Sequence, residues 1–370
     1  MRILVTGSNG FLGTNLRHRL RETPEHTVDR ACRDTPADAL ERMAATADFV
    51  FHLAGVNRPP DPRDFQTGNV DFTAALRAAL ARAGRPIPIV YASSTQAALD
   101  NPYGRSKKAA EDLLLGHGRA TGSPVHICRL PNIFGKWCRP DYNSAVATFC
   151  HNLARGLPIR VDSHPAPLRL VHVDSVMEAF LALLAQPGRP GGPLPVAPVY
   201  ETTVGEVAGL LLSFVGGRTS LAAPRAGTGL TRALYSTYVS YLEPDDFAYE
   251  VPVHRDPRGE FAEMLRTPDC GQFSYFTANP GATRGEHYHH AKTEKFLVIR
   301  GQARFRFRHV ETGATFETTV RGGDGRIVET VPGWTHNIAN TGIDELVVML
   351  WANEILDRSR PDTYPMKVIP

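Results

Sequence analysis

MRILVTGSNGFLGTNLRHRL (residues 1–20) decides how the first half of this chain folds. Arg2–Thr6 is a short β-branched and leucine-rich run that stops at Gly7, and a helical pattern then continues to Leu20. Between them stands Gly7-Ser8-Asn9-Gly10-Phe11-Leu12-Gly13. Gly7 permits the tight turn, Gly10 lets a pyrophosphate reach the backbone, and Gly13 lets the helix pack close to the strand. Free N–H groups at the helix start then face the phosphates. A strand–turn–helix packed for its own sake also uses glycine, so the rest of the chain must decide.

The rest keeps the same rhythm. DFVFHLA (48–54), PIVYA (88–92) and VHICRL (125–130) alternate with helical patterns such as residues 73–83. That alternation predicts an α/β Rossmann-type doubly wound sheet. ACRDTP follows the second strand, where a carboxylate suits the ribose of NAD and an Arg suits the 2′-phosphate of NADP. Arg33 stands there with Asp34 beside it, and NADPH is the expected cofactor. Further on, YASSTQAALDNPYGRSKKAAEDLL (91–114) places Tyr103 and Lys107 four apart, on one face of a helix. A Lys ammonium beside a phenol is expected to lower its pKa from about 10 toward neutrality. Such a tyrosine protonates a ketone oxygen while a nicotinamide delivers hydride to the carbon. Ser94, closing the preceding strand, holds that oxygen; Ser93 is the nearest competitor.

These residues resemble the extended short-chain dehydrogenase/reductases that act on nucleotide sugars. The resemblance implies Tyr103 as general acid/base, Lys107 as its modulator and ribose contact, and Ser94 as third catalytic group. It implies cofactor contacts from Gly7, Asn9, Gly10, Phe11, Leu12, Gly13, Arg33, Leu53, Ala54, Gly55, Tyr103 and Lys107, and a structural role for Asn69. Asn132, in Arg129-Leu-Pro-Asn-Ile-Phe-Gly135, and Arg169, before Val171-His-Val-Asp174, match substrate-binding segments.

Near EPDDFAYEVPVHRDPRGEF (243–261) the character changes. Charge and proline mark a crossing, and we expect domains at 1–243 and 244–370. Beyond it, period-two runs at 272–277, 295–299, 303–308, 315–320 and 345–351 are separated by NPG, GG and TG turns. They predict an all-β sandwich or barrel. Within it lie His287-x-His289-x4-Glu294-x6-Gly301 and Gly333-x2-His336-x3-Asn340. Two His at i, i+2 on a strand share a face. Glu294 and a distant His336 complete a mixed N/O set that suits Zn, Fe, Ni or Mn.

This part resembles the cupin superfamily, with one departure: Pro332 directly precedes Gly333. Asp256-Pro-Arg258-Gly-Glu-Phe261-Ala-Glu263 and Thr283-Arg-Gly-Glu-His287-Tyr also resemble the deoxysugar-nucleotide 3,5-epimerases, in which the matching His is a base and no metal is needed. His287 is therefore ligand or base. As a ligand, it leaves the proton to His290, Lys292, Lys295 or Tyr288.

The full-length pattern is similar to a family of bifunctional capsular-polysaccharide enzymes, including PNIFGKW (131–137), DYNSAVATFC (141–150), TTVG (202–205) and KTEKFL (292–297). That similarity implies a zinc cupin that epimerises C3 of a UDP-2-acetamido-2,6-dideoxy-4-keto-hexose. It further implies NADPH reduction to UDP-2-acetamido-2,6-dideoxy-L-talose, toward UDP-N-acetyl-L-fucosamine, in a homodimer or larger homo-oligomer. Competing readings are a 4-ketoreductase with a structural cupin, a non-catalytic NADP-binding sensor, and an NAD-retaining 4,6-dehydratase or 4-epimerase.

Composition narrows the classes further. Forty-one Lys and Arg stand against 38 Asp and Glu, a net +3, with the basic residues scattered. Nucleic acid and anionic membrane are not expected partners. Five cysteines without a close pair suit buried free thiols in a reducing compartment. No apolar run reaches membrane-spanning length, and the N-terminus enters a strand directly. A cytoplasmic protein is expected.

Overall fold

In the computed structural model the apolar run Arg2–Thr6 is strand β1, and its central Ile3, Leu4 and Val5 have no exposed surface. A strand apolar on both faces needs cover on both. Residues 1–251, 253–256, 259–262, 265, 271–354 and 359–370 are described. Cys270, and Pro257, Arg258 and Glu263 of the epimerase-like segment, lie outside them. The chain divides into two compact units, residues 1–144 with 167–202, and residues 145–166 with 203–370.

In the first unit, helix α1 (Phe11–Arg21) leads to β2 (Thr27–Ala31), α2 (Ala37–Thr46), β3 (Phe49–His52), α3 (Phe72–Arg82) and β4 (Ile89–Ser94). Helix α4 (Pro102–Thr121), β5 (Val125–Leu130), β6 (Asn132–Phe134), β7 (Pro167–His172), α6 (Val173–Leu184) and β8 (Gly192–Pro193) complete its frame; α5 (Ala145–Ala154) counts with the second unit. The sheet order is β2-β1-β3-β4-β5-β8, and every neighbouring pair is parallel. Period-two alternation splits the core. Ile3, Val5, Phe49 and Phe51 pack with Leu16, Met177 and Phe180, whereas Leu4, Val50, Ile89 and Tyr91 pack with Leu40, Leu76 and Leu114. Helices thus cover both faces. The strand order reverses between β1 and β3, and in such sheets ligands settle outside the strand ends at the reversal.

His52 closes β3 at that point. Its Nδ1 lies 2.7 Å from Thr6 Oγ1 and its Nε2 2.8 Å from Thr73 Oγ1. Full burial, with Lys107 adding, pushes this imidazole down from 6.5 to about 3. The folded state therefore resists a proton that the unfolded chain accepts near 6.5, so its contribution is present above that pH and is lost as pH falls toward 3. Between pH 7 and 5 His52 is expected to cost about 2 kcal/mol of stability. Denaturant midpoints across that range should fall less in a His52→Gln variant; an unchanged slope removes His52 as the cause.

The second unit joins α5, α7 (Val204–Ser220) and α8 (Gly229–Val239), which pack on one another, to a β-sandwich. A capping box of Thr203 and Glu206 starts α7. One five-stranded sheet runs β10 (Ala248–Glu250), β18 (Arg326–Glu329), β15 (Glu294–Arg300), β20 (Leu346–Ala352), β13 (Gln272–Ala278). The other runs β17 (Thr315–Arg321), β16 (Gln302–His309), β19 (Trp334–Asn340), β14 (Thr283–Tyr288), β21 (Tyr364–Pro365). Their pairings are antiparallel, as a cupin jelly roll requires. Strands β15 and β16 interleave buried residues such as Phe296, Val298, Phe305 and Phe307.

Among the described residues, Cys32, Cys128, Cys138 and Cys150 form no disulfide. Among the described residues no helix is long and apolar enough to cross a membrane.

Candidate active sites

The glycine turn meets the end of β3. A Cβ on Gly7, whose φ is +65°, would come within 2.6 Å of the Ala54 nitrogen, and one on Gly13 within 2.2 Å of the Gly7 carbonyl. The turn is thus pressed against Leu53-Ala54-Gly55, the other expected cofactor segment. Asn9, at its apex, accepts a hydrogen bond from Arg30 Nη2 at 2.9 Å. Arg30, near the end of β2, was not expected from the sequence; it sets a guanidinium against the glycine turn, and Arg33, just beyond β2, is exposed.

Helix α4 begins with Asn101 Oδ1 accepting from the Gly104 nitrogen at 2.8 Å and Pro102 in the first turn. A Cβ on Gly104 would strike the Gln96 carbonyl at 2.2 Å, so glycine is what lets the helix start sit against the turn after β4. This close approach brings Tyr103 to Ser94, whose side chain hydrogen-bonds the phenol. Ser93 is occupied elsewhere: its hydroxyl donates to Glu111 Oε1 at 2.6 Å, and Arg129 holds the same carboxylate through two nitrogens at 2.9 and 2.6 Å. Of the two serines, Ser93 is thus turned to Glu111, and Ser94 is the one that interacts with Tyr103.

One expectation needs correction. Burial raises the Tyr103 phenol above its ordinary value, and the Ser94 hydrogen bond offsets part of that. Lys107 does not bring it toward neutrality, because its Nζ donates to the Ala92 carbonyl at 3.0 Å and sits 4.9 Å from the Tyr91 ring centroid. Burial lowers the ammonium itself to about 8. Gly55 leaves room for it, since a Cβ there would lie 2.9 Å from Nζ. Asn69 is structural as expected: Oδ1 accepts from the Val56 nitrogen at 2.7 Å, and Nδ2 donates to Ser106 Oγ at 2.9 Å. Asn132 and Arg169 stand on adjacent strands, Asn132 opposite Leu170, and both are exposed; Arg169 pairs with Glu201 at 3.4 Å.

In the sandwich, His287 and His336 are direct cross-strand partners on β14 and β19, while Glu294 opens β15 in the facing sheet. A bulge at Glu286, φ +60°, sets that register. Its carboxylate accepts from Asn337 Nδ2 at 2.6 Å and from the Val368 nitrogen at 2.7 Å, which holds the bulge in place. The imidazole centroids of His287, His289 and His336 are 4.7 to 5.2 Å apart. Potential ligand atoms of these three and Glu294 all fall within 4.8 Å of one another.

His289 Nδ1 contacts the Asp362 carbonyl, which only accepts, so Nδ1 carries the hydrogen. Its Nε2 then faces Glu294 Oε2 at 3.3 Å, and His336 Nε2 lies 3.7 Å from the same oxygen. A neutral imidazole nitrogen and a carboxylate oxygen are both acceptors, and a cation between them resolves the opposition. Burial, together with His336 and His289, takes His287 down to about 3, and burial also lowers His336, so neutral donors are available. Glu294 is held well below the usual carboxylate range; burial opposes this, but His289, His336 and Lys292 outweigh it. The four residues fit a divalent metal with N/O preference.

Of the residues expected to handle a proton, Lys292 reaches Glu294 Oε1 at 2.7 Å. His290 packs against Tyr288 and Tyr364. Lys295 points away, onto the opposite face of β15, where its Nζ meets Glu329 Oε1 at 2.5 Å and Tyr249 at 3.0 Å.

The NAD dependent epimerase/dehydratase family model matches residues 3–196, and that of the polysaccharide biosynthesis C-terminal domain matches residues 254–364. A UDP-2-acetamido-2,6-beta-L-arabino-hexul-4-ose reductase of Pseudomonas aeruginosa is 53% identical over 368 residues, 100% of this chain and 99% of that one. The crystal structure of the capsular polysaccharide assembling protein CapF from Staphylococcus aureus matches with a TM-score of 0.68 at 40% identity, over 100% of each chain. A Bacillus cereus UDP-glucuronic acid 4-epimerase, at 18% identity and TM-score 0.52 over 58% of this chain and 83% of its own, shares the fold of the first unit. The chain belongs to the NAD dependent epimerase/dehydratase family. Within it, the chain falls in the two-domain group that includes CapF.

Proposed function

We propose that this protein is a bifunctional nucleotide-sugar enzyme. Its cupin, residues 244–370 as a unit of function, epimerises C3 of a UDP-2-acetamido-2,6-dideoxy-4-keto-hexose. Its reductase, residues 1–243, then converts the C4 ketone to UDP-2-acetamido-2,6-dideoxy-L-talose, toward UDP-N-acetyl-L-fucosamine. What carries the reading is the presence of a Ser–Tyr–Lys group and a convergent His3Glu group in a chain 53% identical throughout to a hexulose reductase.

NADPH, held by Gly7, Asn9, Gly10, Phe11, Leu12, Gly13, Leu53, Ala54, Gly55 and Lys107, with Arg33 at its 2′-phosphate, supplies the hydride. Tyr103 gives its phenolic proton to the ketone oxygen that Ser94 orients, and Lys107 contacts the ribose of the cofactor. Asn132 and Arg169 hold the nucleotide sugar from β6 and β7. In the cupin, His287, His289, Glu294 and His336 would hold a divalent metal, zinc being the one that the family resemblance implies. The metal supplies stabilisation of the negative charge that develops when C3 loses its proton. Lys292, in contact with Glu294, is the proton-handling candidate that the fold keeps beside the ligands. Nucleotide-sugar and NADPH chemistry suits the cytoplasm, and the group resemblance supports a homodimer or larger homo-oligomer.

The test is the purified protein with the keto-sugar nucleotide in D2O. The expected product carries deuterium at C3, and one NADPH is consumed per sugar, with NADPH preferred over NADH by roughly tenfold or more. NADPH consumption without deuterium at C3 reduces the cupin to a structural role. Tightly retained NAD would instead favour a 4,6-dehydratase or 4-epimerase.

A further inference from the structure

The segment 359–370 reaches back across the sandwich to the stretch that joins His289 to Glu294. Tyr364 and Pro365 pair with Tyr288 and His287, extending β14 by one short strand. The Met366 nitrogen donates to the Glu286 carbonyl at 2.8 Å, and Thr335 Oγ1 donates to the Met366 carbonyl. These contacts seat one residue, Asp362, over the ligand loop.

Asp362 makes two kinds of contact there. Its carboxylate accepts from three consecutive backbone nitrogens, His290 at 2.9 Å, Ala291 at 2.7 Å and Lys292 at 2.6 Å. Successive N–H groups aimed at one anion form a concave nest. Its carbonyl accepts from His289 Nδ1. Arg232 of α8 supports the carboxylate from behind at 3.9 Å while pairing with Glu354 at 2.7 Å. The carboxylate therefore fixes the turn that spaces His289 from Glu294, and the carbonyl fixes the tautomer that presents Nε2 to the ligand cluster.

We infer that Asp362 is the positioning residue of the cupin centre, setting both the separation of His289 and Glu294 and the ring nitrogen that His289 offers. Groups that orient metal-bound histidines commonly govern metal affinity by one to two orders of magnitude. The inference rests on the reading of His287, His289, Glu294 and His336 as metal ligands. It concerns a residue 68 positions beyond Glu294 (362 − 294) that none of the ligand motifs contains.

The experiment uses the full-length protein, stripped of metal and titrated with zinc against a chromogenic chelator, and separately loaded with cobalt for its visible spectrum. Asp362→Ala is expected to raise the zinc dissociation constant by roughly ten- to a hundredfold and to change the cobalt absorption. Asp362→Asn, which keeps one carbonyl acceptor for the turn, should fall between Ala and the parent; it decides the matter if Asp362→Ala does not fold. Variants that melt lower but bind zinc with parental affinity and an unchanged cobalt spectrum overturn the inference, leaving Asp362 a structural clamp. A parent protein that binds no zinc overturns the metal reading and this inference with it. Zinc binding in the parent with no effect in the variants overturns this inference alone.

Discussion

A Tyr103→Phe variant is expected to lose NADPH-dependent ketone reduction by roughly two to four orders of magnitude in kcat, the usual worth of a positioned general acid. The change removes one oxygen and leaves the ring, which packs 5.8 Å from that of Phe65, so the helix start and the glycine turn should keep their places. NADPH binding, read by the quenching or enhancement of its fluorescence, should stay within a few-fold of the parent on this argument. Ser94 would keep its second contact, accepting from the Gln96 nitrogen at 3.1 Å, and so would not be released to disturb the turn. Because burial raises the phenol, the acid form dominates at neutral pH, which suits proton donation in the reductive direction. A variant that reduces the ketone at parental rate would remove Tyr103 from the chemistry.

The features that were legible in the sequence share a property: each is fixed by a few neighbouring residues. The glycine turn spans one loop, Tyr103 and Lys107 lie one helical turn apart, and His287, His289 and Glu294 occupy one strand end and the next strand's start. The protein's α/β and all-β halves follow from periodicity, which is also local. The helix Val204–Ser220 went unread although Thr203 and Glu206 carried its start signal. What was not legible depends on contacts across long separations. Glu111 receives Ser93 and Arg129 from two strands, and the bulge at Glu286 is held by Val368, 82 residues away. Asp362 reaches its loop over 70 to 72 positions. The direction of Lys295, one of four open candidates, follows instead from a local signal: its neighbour Glu294 faces the ligands, and alternation along β15 sends Lys295 to Glu329, its cross-strand partner.

His289→Ala is expected to abolish stable zinc binding and, with it, deuterium exchange at C3. The parent should carry about one zinc per chain, as a four-ligand set implies. His289 adjoins all the others, its Nε2 3.3 Å from Glu294 and its ring centroid 5.0 and 5.2 Å from those of His287 and His336. Its loss removes a ligand and also frees the Asp362 carbonyl, so a water cannot simply restore the geometry. Losing only the orienting partner of such a ligand costs roughly ten- to a hundredfold in affinity, and losing the ligand itself costs at least as much. Exchange at C3, followed by NMR in D2O, should fall by two orders of magnitude or more on the same grounds, since the charge beside the ketone loses its stabilisation. NADPH binding in the reductase should be untouched, which separates this loss from general unfolding. If zinc is absent from the parent and exchange survives in His289→Ala, the cluster is not a metal centre. His287 then takes the part of a base, as in the metal-free epimerases, and exchange should vanish in His287→Asn instead.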